Sequence, residues 1–259
     1  MPILGCGPSA EKLFDKSIQT EELTERKKLR EELAKKYPDH AYGIFAKAYL
    51  LGANGEQEHY LEQLQLYTAV IKMQPNLSYA YVNRGIIREN LKLQADAMND
   101  YTKGIELNPN MAYAYLMRGR LRMKLNDLKN AVVDFGMAIS LKPQDHEAYL
   151  MRGRAYNKQG MHAEALSDLD IAHKITKDSP NVLFERGAAK VKLKDYSGAK
   201  ADFSRVNDAN PNLKAAAELN IGLIMKEEGS SRTEYCLHFG NAYQRDRKLA
   251  ASYYEGHCS

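Results

Sequence analysis

The chain has 259 residues, 44% apolar and 27% charged, with 37 lysines and arginines against 33 acids. That composition suits one or two globular domains with a continuous core, and it excludes disordered, linker-like and collagen-like chains. No run approaches the roughly 18 apolar residues of a membrane span. The net charge of +4 comes from interspersed signs, so no nucleic-acid partner is expected. Seventeen tyrosines accompany no tryptophan, and some stand two residues apart, as at Tyr79/Tyr81 and Tyr113/Tyr115.

At the N-terminus, Ile3-Leu4-Gly5-Cys6 resembles the end of a bacterial lipoprotein signal, but only five residues precede the cysteine. The charged and apolar stretches of a signal are missing, which makes a cytoplasmic protein the expectation. The alternative is a periplasmic, lipid-anchored protein whose sequence starts further upstream and is lipidated at Cys6. Residues 1–37 then form a charged cap. Within it Ser9–Lys36 reads as one helix with Leu13, Phe14, Ile18, Leu29 and Leu33 on its apolar side.

From residue 78 the sequence repeats itself at a step of 34. Gly85, Gly119, Gly153 and Gly187 share one column, Ala97, Ala131, Ala165 and Ala199 a second, and Tyr101, Phe135, Leu169 and Phe203 a third. Pro75, Pro109, Pro143 and Pro211 keep the same step, with Lys177 as the exception. Each unit reads as two helices; in the first, Ser78–Leu91 and Ala95–Leu107 carry apolar residues at three- and four-residue spacing. Short joints separate them, Lys92-Leu93-Gln94 here and Asn126-Asp127 or Lys194-Asp195 later, and Asn-Pro-Asn at 108–110 and 210–212 stops the second helix. Gly85 is expected to face Ala97 so that the two backbones approach closely, with Tyr81, Tyr115, Tyr149 and Leu183 filling the seam.

This pattern resembles the tetratricopeptide repeat, a 34-residue helix–turn–helix unit, with tyrosine standing where that family often has tryptophan. The resemblance implies an all-α, right-handed superhelical solenoid of about five hairpins with helical caps. The hairpins span 38–76, 77–110, 111–144, 145–178 and 179–212. The first is degenerate: Tyr67 and Pro75 hold, but Gln63 sits in the alanine column, Leu51 in the glycine column, and Gly52-Ala53-Asn54-Gly55 is loop-like. Residues 213–259 form a capping helix, Leu213–Glu228, a break at Gly229-Ser230-Ser231, and two short helices near Glu234–Tyr243 and Arg245–Tyr254.

Charged columns accompany the apolar ones. Arg84, Arg118, Arg152 and Arg186 precede the glycines, and Asp100, Asp134, Asp168 and Asp202 follow 16 residues later. A basic ladder for phosphate or acidic peptide is one reading; the one favoured by the recurring acid is an ion pair within each hairpin that fixes helix register.

The resemblance implies a non-catalytic protein that binds a peptide or helix of a partner in a groove lined by the first helix of each hairpin. The expected lining is Tyr79, Val82, Asn83 and Ile86, then Tyr113, Leu116, Met117, Arg120 and Met123, then Leu150, Met151, Arg154, Asn157 and Phe184. Positions three before, one after and four after each glycine are taken to point away from the paired helix, with Leu116, Leu150 and Phe184 as apolar anchors and Arg120 and Arg154 orienting the ligand. Some family members hold a chaperone's C-terminal carboxylate with a Lys/Asn/Arg clamp. Here Val82, Ile86, Tyr113 and Met117 occupy the matching positions and only Asn83 fits, so that ligand is not implied. The alternative function is self-assembly, a homo-oligomer built through the repeats and terminal helices.

No nucleophile with its base, phosphate loop or metal-spaced histidine pair occurs, so no catalytic residue, cofactor or metal is expected. At the C-terminus Cys236-x-His238 with His257-Cys258 carries zinc-ligand types in poor geometry. A Cys236–Cys258 disulfide in an oxidising compartment, or two ordinary thiols, are the other readings.

Overall fold

A computed structural model describes residues 8–52 and 57–258. Over these residues the chain is all-α: α1 (Ala10–Gln19), α2 (Leu23–Lys36), α3 (Ala41–Gly52), α4 (Tyr60–Met73), α5 (Ser78–Asn90), α6 (Gln94–Leu107), α7 (Ala112–Lys124), α8 (Leu128–Leu141), α9 (His146–Gln159), α10 (His162–Thr176), α11 (Pro180–Lys192), α12 (Tyr196–Ser204), α13 (Pro211–Glu227), α14 (Arg232–Arg245) and α15 (Arg247–His257). The class is the expected helical-repeat solenoid, with α3 on α4, α5 on α6, α9 on α10, and α11 on α12 as antiparallel hairpins. The helices group into two compact units, one up to Leu121 and one from Arg122. Cys6 and the Ala53-Asn54-Gly55 part of the loop-like joint lie outside the described residues.

In the first unit the single N-terminal helix expected over Ser9–Lys36 is two helices. Ser9 caps α1 by accepting from Lys12 N–H, and Thr20 ends it in extended backbone. Arg26 then reaches back from α2 to donate to the Thr20 carbonyl, at 2.9 Å from Nε, which ties the bend down. Phe14 stacks on Tyr42 with ring centroids 4.5 Å apart and meets Phe45 edge-on at 5.2 Å. Thus α1 is folded onto its own chain, and Leu13, Phe14, Leu29 and Leu33 join Phe45, Tyr67 and Val70 in one core.

The hairpin joints share a backbone feature. Lys92, Asn126, Gly160 and Lys194, one step of 34 apart, all have positive φ, at 66°, 63°, 78° and 63°. A left-handed residue reverses the chain so that the next helix returns along the first, and three of the four positions bear the Cβ that disfavours it. Gly160→Ala is expected to cost about 1 kcal/mol and Lys194→Gly to stabilise by a similar amount. Paired urea melts check this; a destabilising Lys194→Gly would show that the joint carries no such strain.

The expected close approach of glycine and alanine is seen at Gly153, where a methyl would lie 3.3 Å from the Ala165 carbonyl, and the glycines also receive a larger side chain. A methyl on Gly85 would sit 2.8 Å from the Tyr101 ring, one on Gly187 2.8 Å from the Phe203 ring, and one on Gly153 2.8 Å from Leu169. The glycine column therefore receives the large side chain of the third column, while the buried alanines fit where helices cross closely. Three of the four positions of the charged columns are ion pairs within a hairpin. Arg84 forks onto Asp100 through Nε and Nη2 at 3.0 and 2.8 Å, Arg152 onto Asp168 at 2.7 and 2.8 Å, and Arg186 onto Asp202. Arg122 adds a contact to Asp134 at 2.6 Å. The tyrosines three before these arginines take a second role: the Arg84, Arg118 and Arg152 guanidiniums lie 5.6–5.9 Å from the ring centres of Tyr81, Tyr115 and Tyr149.

In the second unit α12 stops at Ser204, six residues before Asn210-Pro211-Asn212. The Asn207 side chain accepts from Ala209 N–H at 3.1 Å, offering the backbone a local turn in place of helix. Asn210 instead caps α13 by accepting from Leu213 N–H, so the second Asn-Pro-Asn starts a helix. Ser231 and Glu234 form a capping box at the start of α14. Cys236 and Cys258 are joined in a disulfide that ties the end of α15 to α14, and Phe239, Tyr243 and Tyr254 pack beneath it.

Glu218 of α13 is buried between His238, at 2.7 Å, and Lys214, at 3.4 Å. The hydrogen bond to His238, with Lys214 adding to it against burial, pulls its carboxyl down to about 2 from an ordinary 4.5. A depressed carboxyl stabilises the fold above its ordinary value, and that contribution, of about 3 kcal/mol, is lost as pH falls from about 4.5 to about 2. Glu218→Gln is expected to be less stable at neutral pH and to converge with the wild type near pH ~2. A gap between the two melting curves that stays constant with pH would contradict this.

Candidate partner-binding site

Helical geometry decides which residues a first helix can offer. At about 100° per residue, positions three before and four after a glycine lie only about 60° and 40° from it, on the seam side. Positions two before, one after, two after and five after lie about 100–160° away, on the opposite face. The structure follows that arithmetic. Val82 is buried against Gly104 of α6, where an added methyl would be 2.5 Å from its Cγ2, and Leu116 and Leu150 are buried as well. Phe184 is half-buried with its ring 5.6 Å from Phe203. The expected anchors Leu116, Leu150 and Phe184 are thus seam residues, as is Val82. Met117 and Met151 are buried too, although their positions lie opposite the glycine.

Other expected groove residues are already tied up. Tyr79 packs against α1, with its ring 6.0 Å from Phe14. Arg154 of α9 pairs with Glu185 of α11 at 2.7 Å, and Asn157 donates to the Glu185 carbonyl at 3.1 Å. These two residues therefore clamp one hairpin to the next instead of waiting for a ligand. Arg120 and Met123 are half-buried on α7.

Asn83, Ile86 and Tyr113 do come together. With Tyr49 and Gly52 of α3, Tyr60, Gln63 and Tyr67 of α4, and Ile87 and Asn90 of α5, they line a cavity of about 420 Å³ in the first unit. Its α5 contribution, Asn83, Ile86, Ile87 and Asn90, is the face turned away from Gly85. Tyr113, 50% exposed, forms its outer rim. In the second unit a hollow of about 380 Å³ lies between α11 and α13, lined by Ala188, Val191, Lys192, Asn220, Leu223, Ile224 and Glu227.

The residues missed from sequence are those of the degenerate hairpin, and their signal was present. Gln63 replaces the small alanine of its column, and its Nε2 donates 2.9 Å to the Ala48 carbonyl, filling the space that a side chain at Gly52 would need. A long amide thus takes the place of a methyl in the α3–α4 seam.

Among the described residues no group of three or more His, Cys, Asp or Glu side chains is placed to hold a metal, and no helix is long and apolar enough to cross a membrane. At the C-terminus the sulfurs are spent on the disulfide, His238 faces Glu218, and His257 Nε2 lies 3.1 Å from Lys226 Nζ.

Family models for the tetratricopeptide repeat match residues 78–111, 112–145 and 147–174. No curated protein matches the sequence. Similar solved structures include YrrB, described as a tetratricopeptide-repeat protein with an unusual peptide-binding site, at 19% identity and TM-score 0.62 over 73% of this chain and 97% of that one. A tetratricopeptide-repeat protein from Parabacteroides merdae aligns at 19% identity and TM-score 0.59 over 96% and 98%. A chain of the APC/C hetero-tetramer Cut9–Hcn1 aligns at 15% identity and TM-score 0.74; this chain spans about half of its length, 48%, while 96% of this chain is covered. Residues 78–145 and 147–174 match models of the tetratricopeptide repeat, and the likeness to solved structures concerns the fold.

Proposed function

We propose that the protein is a non-catalytic scaffold that holds a segment of a partner protein against its first helices. The observation that carries this is the placement of open space. The cavity of the first unit takes in the faces of the first helices α3, α5 and α7 together with part of α4, and the hollow of the second unit lies against the first helix α11; a further hollow of about 400 Å³ lies on the second helix α4. Half-buried Ile86 and Val191 sit in the first two of these and supply apolar contact, and Asn83, Asn90 and Asn220 supply hydrogen bonding at their edges. YrrB, a protein of the same repeat class, has a peptide-binding site, which supports the same use of the fold here.

The test is affinity capture with wild type beside Ile86→Asp and Val191→Asp. A charge placed in an apolar hollow is expected to weaken partner capture at least ~10-fold while thermal unfolding changes little. A partner captured equally by all three proteins contradicts the assignment.

A further inference from the structure

We infer that the cavity of the first unit is a subsite for one tryptophan side chain of the partner segment: a neutral aromatic ring that brings a hydrogen-bond donor. The inference rests on the first-helix face being the partner-binding face, and it adds the chemistry of the residue bound there.

Three features define that chemistry. The first is the wall, which has four tyrosines, Tyr49, Tyr60, Tyr67 and Tyr113, among its ten described residues, with Ile86 and Ile87, in a space of the size ligand pockets have. The second is a missing donor. Gln63 is 3% exposed, and the bond from its Nε2 to the Ala48 carbonyl fixes which way the amide faces, so Oε1 is left buried with no hydrogen-bond partner. Asn83 is turned likewise, its Nδ2 donating 2.8 Å to the Tyr79 carbonyl, so that its oxygen is the end left for a ligand. A buried acceptor without a donor costs free energy that only an entering N–H or O–H recovers.

The third feature is charge. Among the described residues no Asp, Glu, Lys, Arg or His belongs to the wall. Behind it Arg30, 5% exposed, lies with its guanidinium 3.4 Å from the Tyr49 ring centre, and its Nε and Nη1 have no partner. A buried cation behind the wall, stacked on the Tyr49 ring, disfavours a lysine or arginine of the ligand. A carboxylate is drawn by Arg30 but brings only acceptors to Gln63 and Asn83. A neutral ring with a single N–H satisfies both conditions, and indole is donor-only. These 259 residues contain no tryptophan.

The absence of tryptophan also makes the test clean, because indole emission then reports only the probe. N-acetyl-tryptophanamide is titrated against the full chain by fluorescence and by protein NMR, beside N-acetyl-phenylalaninamide, N-acetyl-lysinamide and sodium acetate. The expected result is saturable binding of the tryptophan probe with blue-shifted emission and NMR shifts at Gln63 and Tyr113. Binding is expected to be about tenfold weaker for the phenylalanine probe, which lacks the donor, and for Gln63→Leu with the tryptophan probe. If Gln63→Leu does not fold, the tryptophan-against-phenylalanine ratio on wild type decides. Equal binding of those two probes, binding of the lysine probe or acetate in their place, or no saturable tryptophan binding at millimolar concentration overturns the inference. A partner still captured through Ile86 and Val191 in that event leaves the scaffold function standing; tryptophan binding without such capture keeps the subsite and removes the scaffold function.

Discussion

Asp202→Ala is expected to destabilise the second unit by about 3–5 kcal/mol, the cost of leaving buried charge without its partner. The Asp202 side chain is 3% exposed and receives Arg186, itself 11% exposed, through two bonds and Lys190, 16% exposed, at 2.8 Å. Burial alone would raise its carboxyl, but the hydrogen bonds from Arg186 and Lys190 outweigh that and hold it below its ordinary value. Removing the carboxylate strands two cations under α11 and α12. Asp170, 3.2 Å from Arg186 Nη1, is too exposed to replace it. Asp202→Asn, which keeps one acceptor oxygen, is expected to recover part of the loss. Denaturant melts check both variants, and a cost for Asp202→Ala below about 1 kcal/mol would assign the arginine column to something other than hairpin register.

Phe203→Ala is expected to cost about 3–5 kcal/mol, and Phe203→Leu less than about 1.5 kcal/mol. Phe203 is fully buried, lies over Gly187 and next to Phe184, and belongs to a core with Leu183, Ala199, Val206, Ala217 and Ile221. Leucine suffices at this place because Leu169 occupies the equivalent one over Gly153 in the preceding hairpin. Ile224 belongs both to that core and to the hollow between α11 and α13, so the alanine variant is also expected to lose partner capture. Equal stability of the alanine and leucine variants in thermal unfolding would mean that the column tolerates a void.

The repeat period, the helix pairs and the Arg–Asp register were legible in sequence because each is a local pattern stated four times. What was not legible had physical causes. The alignment marks columns, but whether a column faces seam or solvent depends on angle, and Val82, Leu116, Leu150 and Phe184 lie on the seam side of their glycines. Arg154 and Asn157 are held by Glu185, a contact between hairpins that spacing within one repeat does not reveal. The bend at Thr20 and the early end of α12 depend on individual side-chain bonds that periodicity averages away. The cavity lies where the repeat is least regular, beside Gln63 in an alanine column and next to Leu51 in a glycine column, and such departures point to function.

The most direct measurement of partner binding on the first-helix face is site-specific photo-crosslinking. A benzophenone side chain is placed in turn at Ile86 and Val191, in the two hollows against first helices, and at Val133 and Met137, which are 61% and 40% exposed on the second helix α8. Crosslinks to partner protein from Ile86 and Val191, and none from Val133 or Met137, are the expected result. Crosslinks from Val133 and Met137 alone would place the partner on the second helices and contradict it.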